Sequence, residues 1–289
     1  MLEIKETIIY LFNLDYFVLK KLNIRGAEKI SKKFSGKMYV HNPFWLAFAG
    51  FWEERNGEEL ISERDEIYPN DFPYIHVPAK EINLKNAIIS WVTESELNSI
   101  KKKVEIINSF PIGEEYYYET TNILDLNGKD KKDFRRNINV FKKKYNHKVF
   151  SDYPKKRVIE FIEKWAKNQK DKNDLFEISK EFAIFCVENM NKFKHVKWIF
   201  VEIDGKLAGF NLSVKFNNEY WVGVHQKVDY GYDGIGRFLF LLRAEAFKNV
   251  KYFTLGTGAR DEGITYFKRH LNPIRVEKRY YVVTGAKLS

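Results

Sequence analysis

Tyr230-Gly231-Tyr232-Asp233-Gly234-Ile235-Gly236-Arg237-Phe238-Leu239 carries a strand through a glycine-rich turn straight into a helix. Glycines let the backbone take positive φ and come close to a ligand, and the first helical turn offers unpaired N–H groups at the positive end of its dipole. Such a turn grips phosphate, so a phosphate-bearing ligand is expected here; the alternative is an ordinary turn that needs positive φ. Two familiar phosphate loops are excluded. The dinucleotide fingerprint needs a third glycine where Leu239 stands, and the P-loop needs Gly-Lys-Ser/Thr where Gly236 is followed by Arg237 and Phe238.

The elements around this turn read cleanly. Residues 154–170 place Val158, Phe161, Ile162 and Trp165 at helical spacing behind Pro154, and 174–193 form a second amphipathic helix. Strand-like runs follow at 198–203, 207–216 and 219–228, joined by Asp204-Gly205 and Asn217-Asn218, which is the pattern of an antiparallel meander. Beyond the turn, 236–249 is apolar almost all round, as a helix buried against a sheet should be. A strand at 251–256, a helix at 261–270 and a strand at 276–284 complete this half.

The first half is less regular. Strands are expected at 44–52, 73–78, 86–92 and 114–126, with a helix at 94–103. It has no glycine loop and no visible sequence repeat, so one donor site per chain is expected. The best boundary lies within 127–153, giving lobes at 1–150 and 151–289.

Composition narrows the class. A chain of 289 residues with 44% hydrophobic and 16% aromatic content folds, and its length suggests about two lobes. No apolar run reaches the roughly 18 to 20 residues that span a bilayer, so no integral membrane association and a cytoplasmic location are expected. The single Cys186, between Phe185 and Val187, reads as a buried structural thiol. The six histidines show no metal-ligand spacing, and no metal is expected. Net charge is +10, from 49 Lys and Arg against 39 Asp and Glu, which favours anionic partners or simply solubility. The charge concentrates at 129–148, where Phe134, Ile138 and Phe141 share one helical face. Arg135, Arg136 and Lys142 are then either solvated or contacts for nucleic-acid phosphates, tRNA included.

The element order, with the glycine turn between fourth strand and third helix, is that of an acetyltransferase lobe. The turn resembles the pyrophosphate motif of the GNAT superfamily, Arg/Gln-x-x-Gly-x-Gly/Ala, with Gly231 in place of the Arg or Gln. Further segments extend the likeness: EEYYYETTNILDLNGKDKKDFRRNINVFKKKY (114–145), EKWAKNQ (163–169), DGKLAGF (204–210) and ARDEGITYFKRHLNP (259–273). In that order they resemble the C-terminal domain family of phosphatidylglycerol lysyltransferases, which is related to the FemABX peptidoglycan aminoacyltransferases and is built of tandem GNAT-like lobes. Family members that make lysyl-phosphatidylglycerol carry a transmembrane region, so an amine acceptor, a small molecule or peptide, is expected in place of lipid.

The resemblance implies an α+β fold and acyl transfer from a phosphate-bearing donor, either acyl-CoA or aminoacyl-tRNA. Such a reaction needs oxyanion donors, a base for the nucleophile and an acid for the leaving group. Backbone N–H groups where strand 219–228 splays from its neighbour would serve the oxyanion. Gly231, Gly234, Ile235, Gly236 and Arg237 would hold the donor phosphates. Tyr266 matches the tyrosine that protonates a departing thiolate, or packs on the sheet. Lys268 matches the family lysine and would neutralise a phosphate or leaving oxygen, or is a solvated helix residue. His225 would take a proton near neutral pH, or is a satisfied strand histidine. Asp261 would orient the acceptor, or stabilise a helix dipole. An acetyl-CoA-dependent N-acetyltransferase, or an RNA-binding module that keeps the fold without catalysis, are the alternatives.

Overall fold

The computed structural model describes residues 20–33, 39–55, 58–63, 74–75, 84–85, 87–169, 174–258 and 262–287. The strands are β1 (Lys20–Lys21), β2 (Gly50–Arg55), β3 (Glu58–Glu63), β4 (Tyr74–Ile75), β5 (Ile88–Thr93), β6 (Val104–Glu119), β7 (His147–Phe150), β8 (Val196–Ile203), β9 (Lys206–Lys215), β10 (Tyr220–Val228), β11 (Tyr252–Thr257) and β12 (Arg275–Lys287). The helices are α1 (Ile24–Lys33), α2 (Pro43–Ala49), α3 (Glu94–Ile100), α4 (Thr120–Leu124), α5 (Lys132–Lys144), α6 (Lys155–Lys167), α7 (Asp174–Glu188), α8 (Ile235–Ala246) and α9 (Glu262–Arg269). This is the expected α+β class.

Two compact units interleave along the chain. Unit 1 takes Met1–Asn23, Ala49–Ile112 and Lys278–Ser289; unit 2 takes Ile24–Phe48 and Gly113–Glu277. The 150/151 boundary expected from the sequence falls inside unit 2, because α5 packs there: Ile138 and Phe141 join a core with Ile199, Val201, Phe238 and Leu239.

In unit 2 the strands run β6-β11-β10-β9-β8-β7, antiparallel except for the parallel pair β10–β11. The aromatic residues that make these strands favourable also lock them together. Trp221 stacks on Phe253 at 4.2 Å and on Phe247 at 4.6 Å, in a core with Tyr116, Tyr118 and Phe240. Helix α8 covers one face through Phe238, Leu239, Phe240 and Leu241, while α7 covers the other, where Phe182 meets His225.

In unit 1, β1-β2-β3-β4-β5 is completed by β12 from the far end of the chain and by the first half of β6. Its core gathers Ile89, Val92, Leu97, Val104 and Val282. Thr93 caps α3 in a capping box with Glu96, so this helix begins where expected.

The two units repeat one irregularity. In unit 2, Thr254 and Thr257 of β11 face Tyr117 and Glu115 of β6, so β11 uses one residue more than its partner. In unit 1, Ile89 and Val92 of β5 face Val282 and Tyr280 of β12, with the same excess. Each bulge holds a left-handed residue at the same step, Gly256 at φ +67° and Trp91 at φ +59°. Each bulged strand also pairs in parallel with the strand before it, β10 or β4, and leads to a helix, α9 or α3. These are tandem copies of one lobe.

Two expected strands depart from expectation: the run at 114–126 is strand only as far as Glu119, where helix α4 begins at Thr120, and the run at 44–52 is not one strand. Residues 44–52 split into helix α2 and strand β2. Asn42 is the reason: its Oδ1 accepts from Trp45 N at 2.9 Å, and Pro43 takes the first helical position.

Candidate active site at the strand splay

The site is built where a ladder stops. β10 and β11 pair from Tyr220–Tyr252 to Val222–Thr254, and β10 then runs on to Val228. Continued in step, Val224 would face Gly256. Instead β10 bulges against β9 between Gly223 and His225, which shifts its side-chain alternation. Gln226 therefore reaches α8, where its Nε2 donates to Gly236 O at 3.0 Å, while His225 and Lys227 face α7.

Strands that part leave carbonyls without ladder partners, and buried carbonyls need donors. Side chains supply them. Tyr39 Oη donates to Val224 O at 2.8 Å, and Arg243 Nη2 donates to His225 O at 2.6 Å. Lys268 Nζ donates to Leu255 O at 2.7 Å, to Gly256 O at 3.2 Å and to Thr257 O. Glu115, fully buried, accepts from Tyr39 N at 3.2 Å and from Thr254 Oγ1 at 2.9 Å. Gly223 makes room for this network, since a Cβ there would lie 2.5 Å from Arg243 Nη1.

Burial tunes these groups. It pushes Lys268 down to about 7, with Glu115 opposing and Arg243 adding to the shift. Burial alone pushes Lys227 down to about 7, although its ammonium lies over the Trp165 ring at 3.8 Å and donates to Ser179 Oγ at 2.9 Å. His225 falls well below its ordinary range through burial and the charges of Lys227 and Arg243, so it is neutral at physiological pH. Its Nε2 is buried without a partner among the described residues.

The glycine turn lies at the wide end of the splay, directly after β10. Gly234 caps α8 at φ +82°, and a Cβ there would collide with Asn137 O of α5. Its glycine is demanded by helix packing. Asp233 N donates to Tyr145 Oη at 3.1 Å and the Asp233 carboxylate pairs with Lys144 at 2.8 Å, so the end of α5 clamps the turn. Gly231 N is taken by Asp229 Oδ1 at 3.0 Å, and Ile235 is a core residue. Gly236 differs from these, because a Cβ there would meet nothing nearer than Gln226 Nε2 at 3.8 Å. Among the described residues, the amides of Gly236 and Arg237 have no acceptor and the half-buried Arg237 side chain has no partner.

The other expected site residues are distributed as follows. Tyr266 lies on α9 with 63% exposure, stacked on His270 at 3.8 Å. Asp261 lies outside the described residues. Arg135 is consumed by the loop before α5, donating to Leu126 O and to Gly128 O at 3.4 Å. Arg136 pairs with Asp133 at 3.4 Å on the surface, and Lys142 sits over the Phe238 ring at 5.6 Å. Of the proposed catalytic set, the splay brings together Lys268 and His225. It adds Tyr39, Glu115, Arg243 and Lys227, which sequence reasoning missed. Arg243 carried a signal, a charge directly after the apolar run Phe238–Leu242 of α8; Tyr39 carried none. Among the described residues no cluster of His, Cys, Asp and Glu is arranged to hold a metal, and no helix is long and apolar enough to cross a membrane.

Residues 88–282 match the family described as "Phosphatidylglycerol lysyltransferase, C-terminal". No curated protein sequence matches the chain. Among solved structures, a conserved protein of unknown function from Bacteroides thetaiotaomicron VPI-5482 is similar at 15% identity and TM-score 0.76, over 93% of this chain and 100% of that one. L-PGS from Bacillus licheniformis is similar at 11% identity and TM-score 0.65, over 93% and 94%. FemX is similar at 9% identity and TM-score 0.56, over 92% and 96%. At these identities the likeness is one of fold, and its span over more than nine-tenths of the chain takes in both of the lobes that share the repeated bulge.

Proposed function

The chain belongs to the phosphatidylglycerol lysyltransferase C-terminal family, and on that premise we propose that it is an acyltransferase, moving an acyl or aminoacyl group from a phosphate-bearing donor to an amine. The observation that carries this reading is the end of the β10–β11 ladder at Val222 and Thr254, which opens a wedge toward the glycine turn. A donor entering from that turn sets its phosphates on the Gly236 and Arg237 amides and the Arg237 guanidinium. Its activated carbonyl then lies along β10, where backbone N–H groups meet the oxyanion.

The reaction breaks the donor's C–O or C–S bond and forms an amide, and the proton lost by the attacking amine goes to the leaving oxygen or sulfur. The carbonyls of Leu255, Gly256 and Thr257 hold the Lys268 amine, so Lys268 positions the wedge. Lys227, held near 7, is the nearby group able to accept a proton, whereas burial and the Lys227 and Arg243 charges make His225 a weak base. Aminoacyl-tRNA and acyl-CoA both fit the turn. The exposed basic face of α5, with Arg136 and Lys143, supports the tRNA arm, and so does the FemABX likeness.

The test is thermal stability with acetyl-CoA, CoA and mixed charged tRNA added separately, comparing wild type with Gly236→Ala and Arg237→Ala. A specific donor raises the melting temperature by mass action, and both substitutions reduce that rise. Stabilisation by CoA alone selects the thioester donor, and stabilisation by tRNA alone selects the ester. Response to neither contradicts the assignment of the turn.

A further inference from the structure

Tyr39 occupies the narrow end of the wedge. Its hydroxyl donates to Val224 O of β10 at 2.8 Å, and a Cβ added at Gly256 of β11 would lie 2.8 Å from its Cγ and Cδ2. The ring therefore spans the two strands two residues past the last ladder pair, where Val224 and Gly256 would otherwise meet. Glu115 anchors it from behind by accepting Tyr39 N, and Asn42, which accepts from Trp45 N, fixes the turn that carries it by donating Nδ2 to Tyr39 O at 2.7 Å. Gly256 lets the ring sit this close to the strand, with no side chain of its own and a backbone at φ +67°. In the other lobe, Trp91 stands at the equivalent step of the bulge.

A donor that enters from the glycine turn travels toward this ring, with its acyl group leading. We infer that Tyr39 is the floor of the acyl pocket and sets the length of the acyl group the enzyme transfers. The inference rests on the acyltransferase reading above and names its substrate class: an activated carbonyl, thioester or ester, bearing a short substituent. Burial raises the Tyr39 phenol above its ordinary value, so it stays protonated and keeps its bond to Val224 O at any physiological pH. The floor is then fixed by a hydrogen bond at one end and by packing at the other.

The experiment is donor consumption with two graded series, acetyl-, butyryl- and hexanoyl-CoA, and glycyl-, alanyl- and leucyl-tRNA. Whichever series is used, wild type favours the shortest member over the longest by roughly tenfold or more. Tyr39→Ala and Tyr39→Leu bring the longest member to within a few fold of the shortest. Tyr39→Phe, which keeps the ring, retains the short preference. Tyr39→Leu keeps the test open should Tyr39→Ala fail to fold. Length profiles unchanged by removing the ring, or a wild type indifferent to length, overturn the inference and leave the acyltransferase reading standing. Consumption of no donor by wild type overturns both.

Discussion

Lys268 Nζ donates to Leu255 O at 2.7 Å across the strand-to-helix connection that follows β11. That bond, with its companions to Gly256 O and Thr257 O, ties α9 to the end of β11, past the point where its ladder with β10 stops. A residue that resembles a catalytic lysine in sequence thus shapes the backbone of the site.

Replacing it removes the partner of three carbonyls at once. Lys268→Met is expected to lower stability by about 2–4 kcal/mol, since each buried carbonyl left unpaired costs about 1–3 kcal/mol before relaxation. Lys268→Arg is expected to fail as well, because a planar fork does not reproduce three convergent donors on one nitrogen. Urea denaturation of both variants checks this, and wild-type midpoints would show that the carbonyls find other partners.

Lys227 and Lys268 also set a pH dependence. Both are held near 7 against an ordinary 10.5, so between those values the unfolded chain carries protons that the folded chain lacks. Stability contributed by these groups therefore rises with pH from about 7 upward, by at most about 1.4 kcal/mol per pH unit for each lysine. Below pH 7 both states are protonated and the cost of burying the charge is constant. Urea midpoints at pH 7 and pH 9 should rise more in wild type than in Lys227→Met; equal rises would place the Lys227 ammonium in an ordinary environment.

The glycines of the turn separate by role. Gly234→Ala places a methyl against Asn137 O at a left-handed φ and is expected to cost about 2–4 kcal/mol. Gly236→Ala meets only an ordinary contact in a helix and is expected to hold or raise stability, by up to about 1 kcal/mol. Melting temperatures without ligand check this pair, and equal destabilisation of both would mean that the fold itself needs Gly236.

How much of this was legible in the sequence follows from where the physics is local. The strands and helices from 154 onward announced themselves by periodicity and turn chemistry, and the glycine turn fell between strand and helix as read. Residues 44–52 looked like a strand because Phe44, Trp45, Leu46, Ala47 and Phe48 form an unbroken apolar run; the Asn42-Pro43 start signal outweighs it. The lobe repeat was invisible because its shared feature is a backbone conformation, met by Gly256 in one copy and Trp91 in the other. The exchange of β12 into unit 1 is a matter of long-range pairing, which no local pattern encodes. Arg135 read as a phosphate contact because charge on a helix is visible in sequence, whereas its bonds to Leu126 O and Gly128 O are not.

Arg237 gives a clean separation of binding from folding. Its side chain has no partner among the described residues, so Arg237→Ala is expected to leave the unfolding free energy from urea denaturation within about 0.5 kcal/mol of wild type. Donor affinity should fall, and its dependence on salt should weaken with the lost phosphate contact. Titration at two ionic strengths checks this; unchanged affinity would move the phosphates elsewhere.

Acyl transfer itself is tested most directly by donor consumption, which needs no knowledge of the acceptor: thiol release from acyl-CoA and loss of the ester from charged tRNA, with a mixture of polyamines, amino acids and peptides supplied as amines. The account predicts that one donor class is consumed faster with the protein than without it, that a labelled amide appears in step, and that Gly236→Ala, folded and stable, slows both. Donors that decay at the same rate with and without the protein would contradict it.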